Sequence, residues 1–158
     1  MKKIAILTIL IVFAFSSYST TKKKKSVFDK LDKAAITAFQ DKMANEHIEI
    51  SNTGKTLGEG MVIVYITDSG NYGKLEISEI DKEENPGITF KYVTYNYDDT
   101  ILSQSENTKV KGTYTFDLDE NGNEAERYEM DFWVEYDFDK KITYFANSEG
   151  SFIFHIIK

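Results

Sequence analysis

The sequence predicts a mainly β (α+β) fold: an antiparallel β-sandwich, or a curved meander or barrel, of seven to eight strands with one N-terminal amphipathic helix. Long segments in the second half alternate apolar and polar residues with a period of two, which is typical of half-buried strands. Ten Tyr and eleven Phe with a single Pro also suit a sheet better than a helical bundle. No helical pattern separates the predicted strands, so a parallel sheet with crossover helices is not expected.

Residues 1–19 have the features of a secretory signal peptide. Two lysines precede an apolar run over residues 4–15, and small residues near Ser19 favour cleavage after it. The apolar run is short for a transmembrane helix, which needs about 20 residues. Four lysines follow within the basic spacer 20–25, and positive charge there opposes translocation. We therefore expect a secreted, periplasmic or cell-surface protein, with membrane attachment only through an uncleaved leader.

The pattern of residues 26–43 predicts the N-terminal amphipathic helix. Ser26 followed by Asp29 fits a capping box. Apolar side chains recur at helical spacing, at Phe28, Leu31, Ala35, Phe39 and Met43. We interpret this stripe as core packed across a sheet, with a partner-binding helix as the alternative.

The strand pattern begins with residues 61–67, which are apolar on both faces and predict an internal strand buried twice. Turn residues at 68–71 then favour a hairpin return. Residues 103–108 are polar and are interpreted as a loop, and residues 47–51 are a candidate eighth strand. The other predicted strands, apart from the long hairpin below, are 73–80, 88–97, and a final hairpin formed by 142–146 and 151–157.

The longest alternating stretch, 109–138, predicts a hairpin around Asn121-Gly122. An odd loop length keeps the apolar residues of both strands on one face. A three-residue loop over 121–123 pairs Phe116 with Tyr128 and Lys111 with Trp133. The predicted inward face then consists of Val110, Gly112, Tyr114, Phe116, Leu118, Tyr128, Met130, Phe132, Val134, Tyr136 and Phe138.

Composition narrows the classes of function. The 158 residues suffice for one β-rich domain over 26–158 with its own core. The chain has no cysteine, which excludes a disulfide scaffold, a thiolate metal site and a thiol nucleophile. Residues 26–158 carry a formal charge of −13, so nucleic-acid binding is not expected.

The segment 117–122 resembles the start of a calcium-binding loop. Asp117, Asp119 and Asn121 alternate before Gly122, and hard cations prefer such oxygen ligands. Position twelve of that loop is Tyr128, where the motif requires a bidentate Glu. We therefore expect either a polar turn or a weak surface calcium site at Asp117, Asp119 and Asn121, with no other cofactor.

The outward face of the same hairpin predicts a sugar-binding surface. The only Trp lies among carboxylates and hydroxyls there, and an indole ring can stack on a pyranose while carboxylates accept its hydroxyl protons. The candidate ligand-binding residues are Trp133, Asp131, Glu135, Thr113 and Thr115. An ordinary solvated sheet face has the same composition, so that interpretation stays open.

Three hypotheses of function follow from these patterns. The first is an exported, non-catalytic binding protein that recognises an extracellular glycan or surface polymer around Trp133. The second is a protein–protein module, such as an inhibitor or envelope-assembly accessory factor, that uses the N-terminal helix or a sheet edge to bind a surface protein. The third is a small hydrolase with a carboxylate pair. No sequence motif for catalysis occurs, so we do not expect an enzyme.

Overall fold

The fold is mainly β and antiparallel, as the sequence predicts. We describe it from a computed structural model, in residues 25–43, 55–81, 87–111, 114–120, 130–140, 142–146 and 153–157. The leader, most of the spacer and the candidate strand 47–51 lie outside these ranges. Within them, no helix has the length and apolar content needed to cross a membrane.

Two antiparallel sheets contain all the strands of the described ranges. The five-stranded sheet has the order β5-β4-β3-β2-β9 and the four-stranded sheet the order β1-β8-β7-β6. Within the described ranges neither sheet closes into a barrel, and the choice between sandwich and curved meander stays a prediction. The strands are β1 (Lys55–Thr56), β2 (Val62–Ile66), β3 (Tyr72–Ile80), β4 (Gly87–Tyr95), β5 (Ile101–Lys111), β6 (Thr115–Phe116), β7 (Phe132–Asp137), β8 (Ile142–Ala146) and β9 (Ile153–Ile157).

The main core contains side chains from both sheets. Phe90 of β4 lies at its centre, with its ring centroid 5.3 Å from that of Phe116 and 6.1 Å from that of Phe132. Ile63 and Tyr65 of β2 belong to this core, whereas Val64 belongs to a second cluster on the opposite face. The prediction that β2 is buried on both faces is therefore confirmed.

The N-terminal segment packs on that opposite face. It consists of α1 (Val27–Lys30), α2 (Lys33–Thr37) and helical residues 40–43, rather than the single predicted helix. The predicted capping box is confirmed, with Ser26 and Asp29 exchanging two hydrogen bonds. Leu31, Phe39 and Met43 of the predicted stripe pack against the sheet, and Ile36, which the stripe omitted, is fully buried there.

Two interactions explain the break at residues 31–32. The Asp32 carboxylate accepts the Ala35 N–H at 2.8 Å and so starts a new helix. The buried Lys74 ammonium donates to the carbonyls of Phe28 and Leu31 at 2.7 and 2.6 Å, which satisfies the end of α1. The Nζ of Lys74 also lies 4.3 Å from the centroid of the Phe28 ring and anchors α1 by a cation–π contact.

The prediction of a loop at 103–108 is wrong, because these residues lie inside β5. This strand pairs with β4 over its whole length, at the edge of the sheet. An edge strand tolerates polar residues on both faces. Two register shifts in the β4–β5 pairing also interrupt the alternation that would have identified the strand.

The predicted pairing of the long hairpin is also wrong. Phe116 pairs with Phe132 rather than Tyr128, and Trp133 pairs with Thr115 rather than Lys111. Residues 109–111 belong to β5, so the first alternating run is divided between the two sheets. The parity of the predicted register is preserved, and Phe116, Phe132 and Val134 face the core as expected.

Other side chains of this hairpin depart from the predicted faces. Tyr114 and Phe138 are exposed, although the alternation placed them inward. Phe138 begins the turn after β7, where the strand alternation ends. The predicted final hairpin is wrong as well, because β8 pairs with β7 and β1 whereas β9 pairs with β2 in the other sheet.

We expect Gly73→Ala to lower the free energy of unfolding by about 1–3 kcal/mol, as overpacked core sites do. Gly73 lies opposite Tyr65 in the β2–β3 pairing, and an added Cβ would overlap the Tyr65 ring. That ring is held in place because its hydroxyl lies 2.9 Å from Oγ1 of Thr94. Urea denaturation measures the change. The control is Gly58→Ala, whose Cβ would meet only Met61 Cε at 3.9 Å; equal losses for the two variants would contradict the prediction.

Candidate functional site

The outward face of the four-stranded sheet contains three of the predicted ligand-binding residues. Thr115 and Trp133 form a cross-strand pair, and Glu135 lies two residues further along β7. Phe132 and Val134, which alternate with them, are fully buried in the core. The three side chains therefore share the face turned away from the core, and each is half-buried. Thr113 lies outside the described ranges.

The chemistry of this face suits a hydroxylated ligand. Trp133, which is half-buried, offers an indole ring, Thr115 a hydroxyl group and Glu135 a carboxylate. An aromatic ring beside hydrogen-bonding groups can hold a sugar ring by stacking and orient it by hydrogen bonds. We refer to Thr115, Trp133 and Glu135 as the Trp133 face.

Asp131 does not belong to this face, which corrects its predicted position. Its side chain is completely buried, and its carboxylate accepts the backbone N–H of Leu118 at 2.7 Å and of Asp68 at 2.9 Å. Asp131 precedes β7, where the strand alternation does not yet apply. The carboxylate joins the turn between β2 and β3 to the segment after β6, and so links the two sheets.

Asp131 is part of a cluster of carboxylates at one end of the core, with Asp68, Asp117 and Asp119. Burial raises the pKa of Asp131 to about 8, against the two backbone hydrogen bonds, and the negative charges of Asp119 and Asp117 raise it further. Burial also raises the pKa of Asp117 and of Asp119. This end of the core therefore favours protonated carboxyl groups or positive charge.

The predicted calcium ligands Asp117 and Asp119 both lie in this cluster, and Asn121 lies outside the described part of the chain. Oδ1 of Asp117 accepts the N–H groups of Asp119 and Glu120, which forms the local turn. Oδ1 of Asp119 accepts the side-chain amide of Asn71 at 3.2 Å. Among the residues that the structure describes, no three His, Cys, Asp or Glu side chains are placed to share one metal ion. The calcium site stays a prediction.

Sequence reasoning missed the residues that surround this cluster. The segment 68–71 was recognised only as a turn, yet it supplies the Asp68 N–H to Asp131 and the Asn71 amide to Asp119. Beside it, Thr94 and Ser103 both donate hydrogen bonds to the carbonyl of Leu118. The one signal in the sequence was the clustering of Asp and Asn residues at 68–71 and at 117–121. The sequence does not show that the two segments lie close together, because that depends on the packing of two sheets.

His155, one of two histidines in the sequence, packs against the N-terminal segment. It lies half-buried on β9, and its ring stacks on Phe39 with centroids 5.5 Å apart. The other histidine, His47, lies outside the described residues.

Comparison with known proteins adds no relative. No family model, no curated protein and no solved structure matches the chain.

Proposed function

We propose that this protein is an exported, non-catalytic binding module that recognises a neutral glycan or hydroxylated surface polymer through the Trp133 face. The observation that supports this proposal is the half-buried Trp133 paired with Thr115, with Glu135 on the same face. A partly accessible indole offers stacking area while the sheet beneath it fixes the ring. We take the two sheets as the layers of a β-sandwich, since they share one core.

The charge of the chain favours a neutral ligand over an anionic one. Residues 26–158 carry a formal charge of −13, and Glu135 lies on the proposed face itself. Anionic polysaccharides would be repelled at low ionic strength. Calcium at Asp117, Asp119 and Asn121 is proposed as an auxiliary ligand that offsets the carboxylate cluster.

We expect Trp133→Ala to reduce binding of a neutral polysaccharide by at least about tenfold, because the variant removes the stacking surface. Tyr114→Ala, which alters an exposed aromatic residue adjacent to the face, is expected to bind as the wild type does. Binding is measured on immobilised dextran, mannan and xylan, with alginate as the anionic comparison, in calcium and in EDTA. Emission from the single Trp should also shift as ligand is added to the wild type.

Two results would refute this proposal. One is equal binding by the wild type and Trp133→Ala. The other is a wild-type protein that is not retained on any of the four polymers and whose Trp133 emission does not change when they are added. A cooperative unfolding transition in each variant ensures that lost binding does not reflect unfolding.

The second hypothesis is a protein–protein module that uses the N-terminal segment or a sheet edge. Leu31, Phe39 and Met43 of the N-terminal segment pack on the five-stranded sheet, so a partner would bind other residues of that segment. The sheet-edge form is supported by exposed apolar residues at the start of the edge strand β5, Ile101 and Leu102.

A further inference from the structure

The turn between β4 and β5 displays an unusual group of exposed side chains. Tyr97 is 91% exposed, Ile101 51% and Leu102 39%. Three large apolar side chains are therefore exposed within six residues, with Ile101 and Leu102 on opposite faces of β5. Exposed apolar side chains that lie close together are a feature of interaction sites. Asp98 and Asp99 lie between them in sequence, and both are exposed. We call these five residues the turn patch.

The turn that carries the patch is held by its own hydrogen bonds. The Asn96 N–H donates to the Thr100 carbonyl at 2.8 Å. The backbone N–H and the hydroxyl of Thr100 both donate to Oδ1 of Asp98, at 3.1 and 2.6 Å. Asp99 adopts a left-handed φ of 69°, which aspartate tolerates better than most residues. Tyr97 is therefore presented by an ordered turn, which lowers the entropic cost of binding through it.

Lys33 of α2 fastens this turn to the N-terminal segment. Its ammonium lies 2.7 Å from the Asp99 carboxylate, and it donates to the carbonyls of Asn96 and Tyr97. The Lys33 side chain is only 15% exposed, whereas that of Asp99 is 78% exposed. Lys33 therefore compensates the charge of Asp99 at the Oδ1 atom of that residue, and Asp98 is the carboxylate of the patch for which the described residues show no ion pair.

An open groove of about 400 Å³ lies beside the turn. Its lining combines the small side chains Ala34, Thr37 and Ala38 of the α2 region with Lys33 and Asp99. Such a groove has room for one apolar side chain of a ligand. Tyr97 belongs to the same turn as Asp99, so one segment could contact both the ring and the groove.

We propose that the turn patch and its groove form a docking surface for a basic protein segment that carries an apolar side chain. The apolar side chain occupies the groove and packs against Tyr97, while lysine or arginine side chains pair with Asp98 and Asp99. Charge complementarity identifies this occupant, since the exposed charges of the patch are acidic. It also argues against a second copy of the chain, whose acidic patch and net negative charge would repel the first. The proposal does not depend on the Trp133 face.

A random peptide library displayed on phage tests this proposal on the whole protein. Peptides are selected on the wild type after removal of those that bind Tyr97→Ala. We expect the enriched peptides to have net positive charge and a shared apolar residue. Measured as synthetic peptides, they should lose at least about tenfold in affinity with Tyr97→Ala. A smaller loss is expected with Asp98→Asn, which retains the Oδ1 acceptor of the turn, and affinity should fall as salt rises.

Tyr114→Ala is the matched control, because it removes another exposed tyrosine and should leave peptide affinity unchanged. Three outcomes would overturn the proposal. The selection yields no peptide that prefers the wild type; the enriched peptides lack positive charge; or sedimentation shows that the wild type is a dimer and Tyr97→Ala is a monomer. The last outcome would identify a second copy as the occupant.

Discussion

Phe132→Ala is expected to lower the free energy of unfolding by about 3–5 kcal/mol, the usual cost of removing a large aromatic side chain from a core. Phe132 is completely buried and belongs to the four-stranded sheet. Its ring centroid lies 5.6 Å from that of Phe116 and 6.1 Å from that of Phe90 in the other sheet. The substitution removes a contact between the sheets, so the cavity cannot close without moving one sheet toward the other. Urea denaturation followed by circular dichroism measures the loss.

Phe138→Ala is the control for this substitution. It makes the same chemical change six residues further along the chain, at a side chain that is 69% exposed. We expect its effect to stay within about 0.5 kcal/mol, as for most surface changes. If Phe138→Ala cost as much as Phe132→Ala, the assignment of Phe132 to the core and of Phe138 to the surface would be wrong.

Sequence periodicity predicted the parts of the fold in which strands pair with the next strand along the chain. The strands β2, β3 and β4 follow one another as hairpins, and their apolar alternation or continuous apolarity identified each of them. The capping box at Ser26 and Asp29 was equally local and is present. Local patterns specify such elements because the interactions that define them lie within a few residues or one turn.

The errors arose where a distant part of the chain decides the structure. Asp32 and Lys74 divide the predicted helix, and Lys74 lies more than forty residues away in sequence. The turn residues between β8 and β9 likewise do not show which sheet each strand joins. The same residues are compatible with a hairpin and with a connection between two sheets. Edge strand β5 was missed since its exposed polar residues resemble a loop.

The candidate site was predicted only in part, for a similar reason. Trp133, Glu135 and Thr115 share a face because strand alternation requires it. Asp131 shows the same alternation in sequence, but its position is decided by the backbone N–H groups of Leu118 and Asp68. A buried carboxylate and an exposed one are indistinguishable in an alternating run of acids, so only the packing of the two sheets separates them.

The stability of this protein is expected to fall as pH rises from about 4 to about 8, because of Asp131. Its pKa is raised to about 8 in the folded state by burial, whereas an unfolded aspartate titrates near 3.9. Between these values the folded state retains a proton that the unfolded state has lost, so each increase in pH favours unfolding. The contribution of Asp131 to the free energy of unfolding is fully present below about pH 4 and is lost above about pH 8. Its magnitude is on the order of a few kcal/mol.

Asp131→Asn isolates this contribution from the other titrating groups. Asparagine retains one acceptor oxygen and nearly the same shape, and it does not ionise. We expect the difference in unfolding free energy between wild type and variant to shift steadily in favour of the variant from pH 5 to pH 8.5. Urea titrations at several pH values in EDTA measure that difference, and a difference independent of pH would contradict the prediction. If calcium binds the carboxylate cluster, repeating the series with calcium should flatten the wild-type profile, because a bound cation favours the ionised carboxylates. The same comparison therefore tests the buried carboxyl group and the proposed metal ligand separately.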